Sequence, residues 1–333
     1  TPDEIAYDSV KGEEFISNYH DNTVSVLNDT TNAVIATVPV GSSPEGITYD
    51  SSKGEIFVAN VDSNNVSVIN ATTNTVSATI TVGSAPEGIA YDSVKGEIFV
   101  TNNDAHTVSV INDTTNTVTA TIASGSGPEG IVYDSAKGEI FVTNNDANSV
   151  SVINATTNTV SATITVGASP SGITYDSGKQ EVFVVNVDSN NVSVINDTTN
   201  TVSTTIAVGL TPVEIAYDSG KGEVYVSNQN GDTVSVISDS TNTVSVTIDI
   251  GLTPVQAAYD SAKGEVFVVN EDADNISVIN DTTNAVIATV STGLTPSGIT
   301  YDTGKGEIFV SNEGSNNVSV ISDSTDTVVA TIT

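Results

Sequence analysis

Cysteine, methionine, tryptophan and arginine are all absent from this 333-residue sequence. Without Cys there is no disulfide framework, thiol nucleophile, thiolate zinc site or covalently attached c-type haem. Positive charge is scarce: 8 Lys face 41 Asp and Glu, and the formal net charge is −33. Binding to a phosphate backbone needs clustered Lys and Arg that replace counterions, so no nucleic-acid partner is expected. No apolar run approaches the roughly 20 residues that span a bilayer, so no membrane insertion is expected within this segment. Nor does any stretch show the length and 3.6-residue period of a helix.

What is present is repetition. Tyr-Asp recurs at Tyr7, Tyr49, Tyr91, Tyr133, Tyr175, Tyr217, Tyr259 and Tyr301, each 42 residues after the last. The eight lysines, from Lys11 to Lys305, each follow such a tyrosine by four positions. A second aromatic stands at Phe15, Phe57, Phe99, Phe141, Phe183, Tyr225, Phe267 and Phe309, which leaves only Tyr19 outside the pattern. Unbroken spacing of this kind means one structural unit used eight times. The units run approximately over 1–42, 43–84, 85–126, 127–168, 169–210, 211–252, 253–294 and 295–333.

Within a unit, apolar runs alternate with turn residues. In the third copy strand A is read at Gly88–Tyr91, B at Glu97–Thr101, C at Thr107–Ile111 and D at Thr117–Ala123. Val, Ile and Thr dominate these runs and suit a pleated surface. Gly96 falls where an A–B hairpin needs a positive φ. A four-stranded meander of about 42 residues cannot bury both faces alone, and stacking such units around an axis is the propeller solution. The expectation is an all-β protein of one domain spanning 1–333, an eight-bladed β-propeller whose blades are four-stranded antiparallel meanders. Strand A opens the first copy and strand D closes the last, so no strand exchange is expected to latch the ring.

Four segments carry a family resemblance: Ser-x-Pro-Glu-Gly-Ile-x-Tyr-Asp, Gly-Glu-Ile-Phe-Val-Thr-Asn, Thr-Val-Ser-Val-Ile-Asn and Thr-Val-x-Ala-Thr-Ile-x-Val-Gly. Together they resemble the YVTN-type β-propeller repeat over the whole chain. The name-giving tetrapeptide reads Phe99-Val100-Thr101-Asn102 and Phe141-Val142-Thr143-Asn144 in the third and fourth copies. Phe replaces Tyr there in most copies, and Tyr-Asp stands where many members have a short Ser-Pro-Asp turn. The resemblance implies a propeller and points to archaeal cell-surface and surface-layer proteins. It supplies no catalytic residue.

In a meander the D–A and B–C connections share one face, and there the copies diverge. After the repeated proline stand Asp3, Glu45, Glu87, Glu129, Ser171, Val213, Val255 and Ser297; one position on, most copies have Gly, but Glu4, Glu214 and Gln256 intrude. Strand parity puts Ile5 and Tyr7 in the gap between blades. The same parity assigns the small row from Ala6 to Thr300 to a channel wall and aims Glu4 and Glu214 into the channel. Asp3, Glu4, Glu45, Glu87, Glu129, Glu214 and Gln256 are thus the candidate ligand-binding residues at an acidic channel mouth. Asp8, Asp50, Asp92, Asp134, Asp176, Asp218, Asp260 and Asp302 are candidates for a Ca²⁺ or Mg²⁺ ring, since hard cations take oxygen ligands. The alternative for each is an Asp that caps its own turn. Asp272-Ala273-Asp274-Asn275 has a calcium-like spacing but lacks the following Gly and distal Glu of a calcium loop. His20 and His106 are isolated in B–C loops, and no Gly-x-Ser-x-Gly elbow or phosphate loop occurs.

Ten Asn-x-Ser/Thr acceptors are present, at Asn28, Asn65, Asn70, Asn112, Asn154, Asn191, Asn196, Asn275, Asn280 and Asn317. Roughly nine would arise by chance at this composition, so their placement beside exposed turns matters more than their number. A first residue other than Met suggests a processed or excised segment. The leading expectation is a non-catalytic, extracellular structural or interaction module, such as a surface-layer, adhesion or lattice component. It would need no cofactor, and its partners would be other surface proteins, glycans or copies of itself. A propeller that captures a divalent cation or small polar ligand at the acidic mouth is the alternative; a metal-assisted lyase or lactonase comes third.

Overall fold

Every residue from Thr1 to Thr333 is described by the computed structural model. The first blade consists of β1 (Pro2–Asp8), β2 (Glu13–Asn18), β3 (Thr23–Asn28) and β4 (Ala33–Pro39), hydrogen-bonded in that order. Seven further sheets repeat it, each from four consecutive strands, so no strand is lent between sheets. These strands occupy positions A to D of each blade. The protein is an eight-bladed β-propeller of four-stranded antiparallel blades, as its 42-residue period predicts. In the third copy the strands are Pro86–Asp92, Glu97–Asn102, Thr107–Asn112 and Thr117–Ala123, within two residues of the sequence reading. The A–B hairpin glycines take the left-handed conformation, φ 66° at Gly12 and 68° at Gly96.

The chain divides into two compact units, Thr1–Thr163 with Ile332, and Ile164–Thr331 with Thr333. In the first unit the core lies between successive blades. Phe15, Val24 and Val26 of blade 1 pack against Ile56, Val58 and Ile69 of blade 2, with Ile47 and Tyr49 at the edge. Phe57 and Phe99 repeat the arrangement towards the next blade. The second unit does the same around Phe183, Tyr225 and Phe267. Each such side chain is essentially inaccessible, and its burial contributes about 1.5–3 kcal/mol.

This packing corrects one parity assignment. Ile and Tyr of strand A do lie between blades, but the small row does not form a channel wall. Ala6 pairs directly with Phe15 and shares its face, which is the face turned to the next blade. Both faces of a blade are therefore interblade surfaces, and small residues are needed because neighbouring A strands lie close while D strands lie further apart.

Candidate functional site

The A strands approach each other most tightly at their first residues. A Cβ on Gly46 would lie 2.1 Å from the carbonyl oxygen of Glu87, and one on Gly88 would lie 2.3 Å from that of Glu129. Glycine is required there by close approach, since its φ is ordinary. Thr101 reinforces the junction: its Oγ1 accepts from Gly88 N at 2.8 Å and lies 3.0 Å from the Glu129 carbonyl of the next blade. The backbone that carries Glu45, Glu87 and Glu129 is thereby locked, and each of these half-buried side chains comes from the start of its own blade's A strand.

Electrostatically the charges that act on Glu45 and Glu87 are all acidic. Burial, followed by the charges of Asp3, Glu87, Glu4 and Glu129, pushes the Glu45 carboxyl from 4.5 up to about 8. Glu87 is raised to about 7, again by burial first, but Asn103 Nδ2 donates to its Oε2 at 3.0 Å and opposes the shift. Glu129 is raised by burial and likewise receives a bond from Asn145 Nδ2 at 3.0 Å. Blade 2 has Val61 where those asparagines stand. These two asparagines escape notice in the sequence because Asn is abundant; the usable signal is that they follow the strand-B Asn only in the blades whose acid they serve.

In the second unit, Glu214 Oε2 lies 2.8 Å from the N–H of Ile215, and Gln256 Oε1 accepts from Ile299 N at 3.3 Å. These polar groups fold back onto the strands beside them. The eight-membered row from Asp8 to Asp302 is buried, each residue no more than 1% exposed. Every one accepts through Oδ1 from the N–H two residues on, at 2.7–2.9 Å, which is the turn-capping role. Asp176 also accepts the hydroxyl of Tyr217 from the next blade at 2.7 Å. Nowhere are three or more His, Asp or Glu side chains grouped so as to hold a metal ion.

The remaining candidates are structural. Asp272 accepts from Thr253 Oγ1 at 2.6 Å and Asp274 from Thr295 N at 2.8 Å, so the two carboxylates turn to different neighbours. His106 stands in an Asn position with φ 56°, its Nδ1 3.2 Å from Gly127 N and 2.9 Å from Asn103 O. The exposed His20 stacks edge-on with Tyr19 at 5.2 Å.

No family model and no curated protein sequence matches this chain. Solved structures do. The chain is similar to hydrazine synthase from Kuenenia stuttgartiensis, at TM-score 0.68 and 17% identity, covering 96% of this chain and 95% of that one. It is also similar to dihydro-heme d1 dehydrogenase NirN in complex with DHE, at TM-score 0.85 and 13% identity, over 98% of this chain and 73% of that one. These identities show the fold alone. They overturn one expectation nonetheless: missing catalytic residue types argued that the chain is not an enzyme, whereas both of these proteins are enzymes with this architecture.

Proposed function

We propose that the chain is a binding propeller that seats a small cationic or polar ligand on the arc formed by Glu45, Glu87 and Glu129. The observation that carries this reading is the set of three half-buried carboxylates from successive blades, with Asp3 and Glu4 beside them and no basic residue among them. All eight lysines follow the A–B hairpin Asp by three residues, at the other end of strand A. A carboxyl held near neutral pH binds a cation with release of its proton and also suits proton exchange with a bound group. The lack of a ready-made three-carboxylate metal set favours an ammonium-bearing organic ligand over a bare divalent ion.

Titration calorimetry at pH 7 with an aliphatic diamine, and separately with Ca²⁺ and Mg²⁺, tests this. Heat with proton release is expected for the diamine, abolished by the combined changes Glu45→Gln, Glu87→Gln and Glu129→Gln. Silence with every probe, or unchanged heat in the triple variant, would remove the proposal.

Display outside the cell is the setting this reading adopts, and the acceptor asparagines support it. Asn28, Asn70, Asn112, Asn154, Asn196 and Asn280 end their C strands and use Oδ1 to accept turn N–H groups, leaving Nδ2 outside those bonds. Asn65, Asn191 and Asn275 instead spend Nδ2 on backbone carbonyls at 2.9–3.2 Å, so a glycan there would break the B–C loop. The six C–D turns are the positions fit to carry sugar.

A further inference from the structure

In three successive blades of the second unit the D–A connection reads Gly-Leu-Thr-Pro, at 209–212, 251–254 and 293–296. The first unit has Ser42, Ser84 and Ser126 at the leucine position. Leu210, Leu252 and Leu294 are 59, 54 and 56% exposed, which is a cost the serine copies avoid. The loops cannot fold these side chains inward. The following Thr211, Thr253 and Thr295 hold φ of 52, 55 and 49°, a left-handed conformation that is costly for a β-branched residue.

Pins on both sides over-determine that conformation. The N–H groups of Thr211, Thr253 and Thr295 donate to Asn190, Asp232 and Asp274 at 2.7, 3.0 and 2.8 Å. Their carbonyls accept from Gln229, Glu271 and Glu313 N–H at 2.9 Å each. The leucines are presented by pinned loops, so little ordering cost falls on this side of any interface.

The groups that flank them are acidic. Asp232, Glu271, Asp272, Asp274 and Glu313 lie in the B–C loops that hold these leucine loops, and no Lys is among them. Glu271 is raised by burial and then by the charges of Asp272 and Glu313. A patch that alternates exposed leucine with carboxylate repels a second copy of this −33 chain and complements a segment of opposite charge. We infer that Leu210, Leu252 and Leu294 with the acidic B–C loops form a docking surface for a basic amphipathic polypeptide segment, one that alternates apolar side chains with Lys or Arg.

The test uses the whole chain and three synthetic ten-residue probes, alternating Leu-Lys, Ser-Lys and Leu-Glu, with binding followed by fluorescence anisotropy at 0.15 M salt. The Leu-Lys probe is expected to bind, with the Ser-Lys probe at least tenfold weaker and the Leu-Glu probe silent. The combined change Leu210→Ser, Leu252→Ser and Leu294→Ser places the first unit's residue at each position. It should keep the melting temperature and lose at least tenfold in Leu-Lys affinity. Equal binding of Leu-Lys and Ser-Lys, equal binding by the triple variant, or no binding of Leu-Lys would each overturn the inference. The preference for Leu-Lys over Ser-Lys is read separately from ammonium binding at Glu45, Glu87 and Glu129, since both probes carry the same lysines, so failure here is separable from failure of the ligand site in the first unit.

Discussion

Glu45 and Glu87 show how one side chain sets a pH response. Both have carboxyls raised in the folded state, to about 8 and about 7 from 4.5. A raised acid favours its protonated form, so its contribution to stability is fully present below the ordinary value and is lost as pH rises through the folded value. The window is therefore about pH 4.5 to 8. Wild-type protein should melt at a higher temperature at pH 5 than at pH 8.5, and Glu45→Gln should flatten that difference. After allowance for solvent at a half-buried group, the gain at pH 8.5 is about 1–2 kcal/mol. Thermal melts of both proteins across this range check it; a parallel pH dependence in the variant would mean that Glu45 is not the group responsible. Blade 2 feels this most because Val61 gives its acid no counterpart of Asn103.

At the scale of the element, strand D carries a second device. A register shift in its pairing with strand C leaves one bulged residue, Ser77 between Val68 and Ile69 in blade 2. In five blades that residue is Ser or Thr, whose hydroxyl donates to the strand-C carbonyl at 3.1–3.2 Å. Blades 1 and 7 place Ile35 and Ile287 at the bulge instead, 48 and 50% exposed. Ile287→Ser should restore the hydroxyl-to-Val278 bond and remove an exposed apolar group, with a gain of roughly 0.5–1.5 kcal/mol. Urea unfolding measures it, and a loss of more than about 1 kcal/mol would show that Ile287 has a packing role hidden in this view. The repeat alone made the strands, the hairpin glycines and the interblade Ile and Tyr legible, because each position is stated eight times over. The bulge was not legible, since Ser and Thr read equally well as ordinary strand residues. Nor was the side to which each strand-A residue turns, which periodicity can order but cannot aim; the Ala6 row was misplaced for that reason. Glu14, fully buried where other blades have Ile or Val, shows the same limit.

For the whole molecule the governing quantity is charge. Six lysines reach across to the C–D turn of the next blade: Lys53 to Asp113 at 2.8 Å, Lys179 to Asp239 at 3.6 Å, Lys263 to Asp323 at 3.9 Å, and Lys11, Lys95 and Lys221 to backbone carbonyls. These contacts bind neighbouring blades, but eight cations cannot balance 41 carboxylates. Two effects of salt then compete. Screening weakens the lysine clamps, which are a quarter to two-fifths exposed at the Lys side chain. It also weakens repulsion among the excess acids, and the Debye length falls from about 10 Å at 0.1 M to about 3 Å at 1 M. Exposed ion pairs are each worth only about 0–1 kcal/mol, whereas repulsion acts on every uncompensated carboxylate and destabilises the compact state. Repulsion should win. The melting temperature at pH 7 is expected to rise by several degrees between 0.02 and 1 M NaCl, and the rise should be smaller at pH 4, where many carboxylates have taken up protons. Scanning calorimetry over both series decides between the effects: a melting temperature that falls with salt at pH 7 would place the lysine clamps, and not the acidic excess, in control of how the blades hold together.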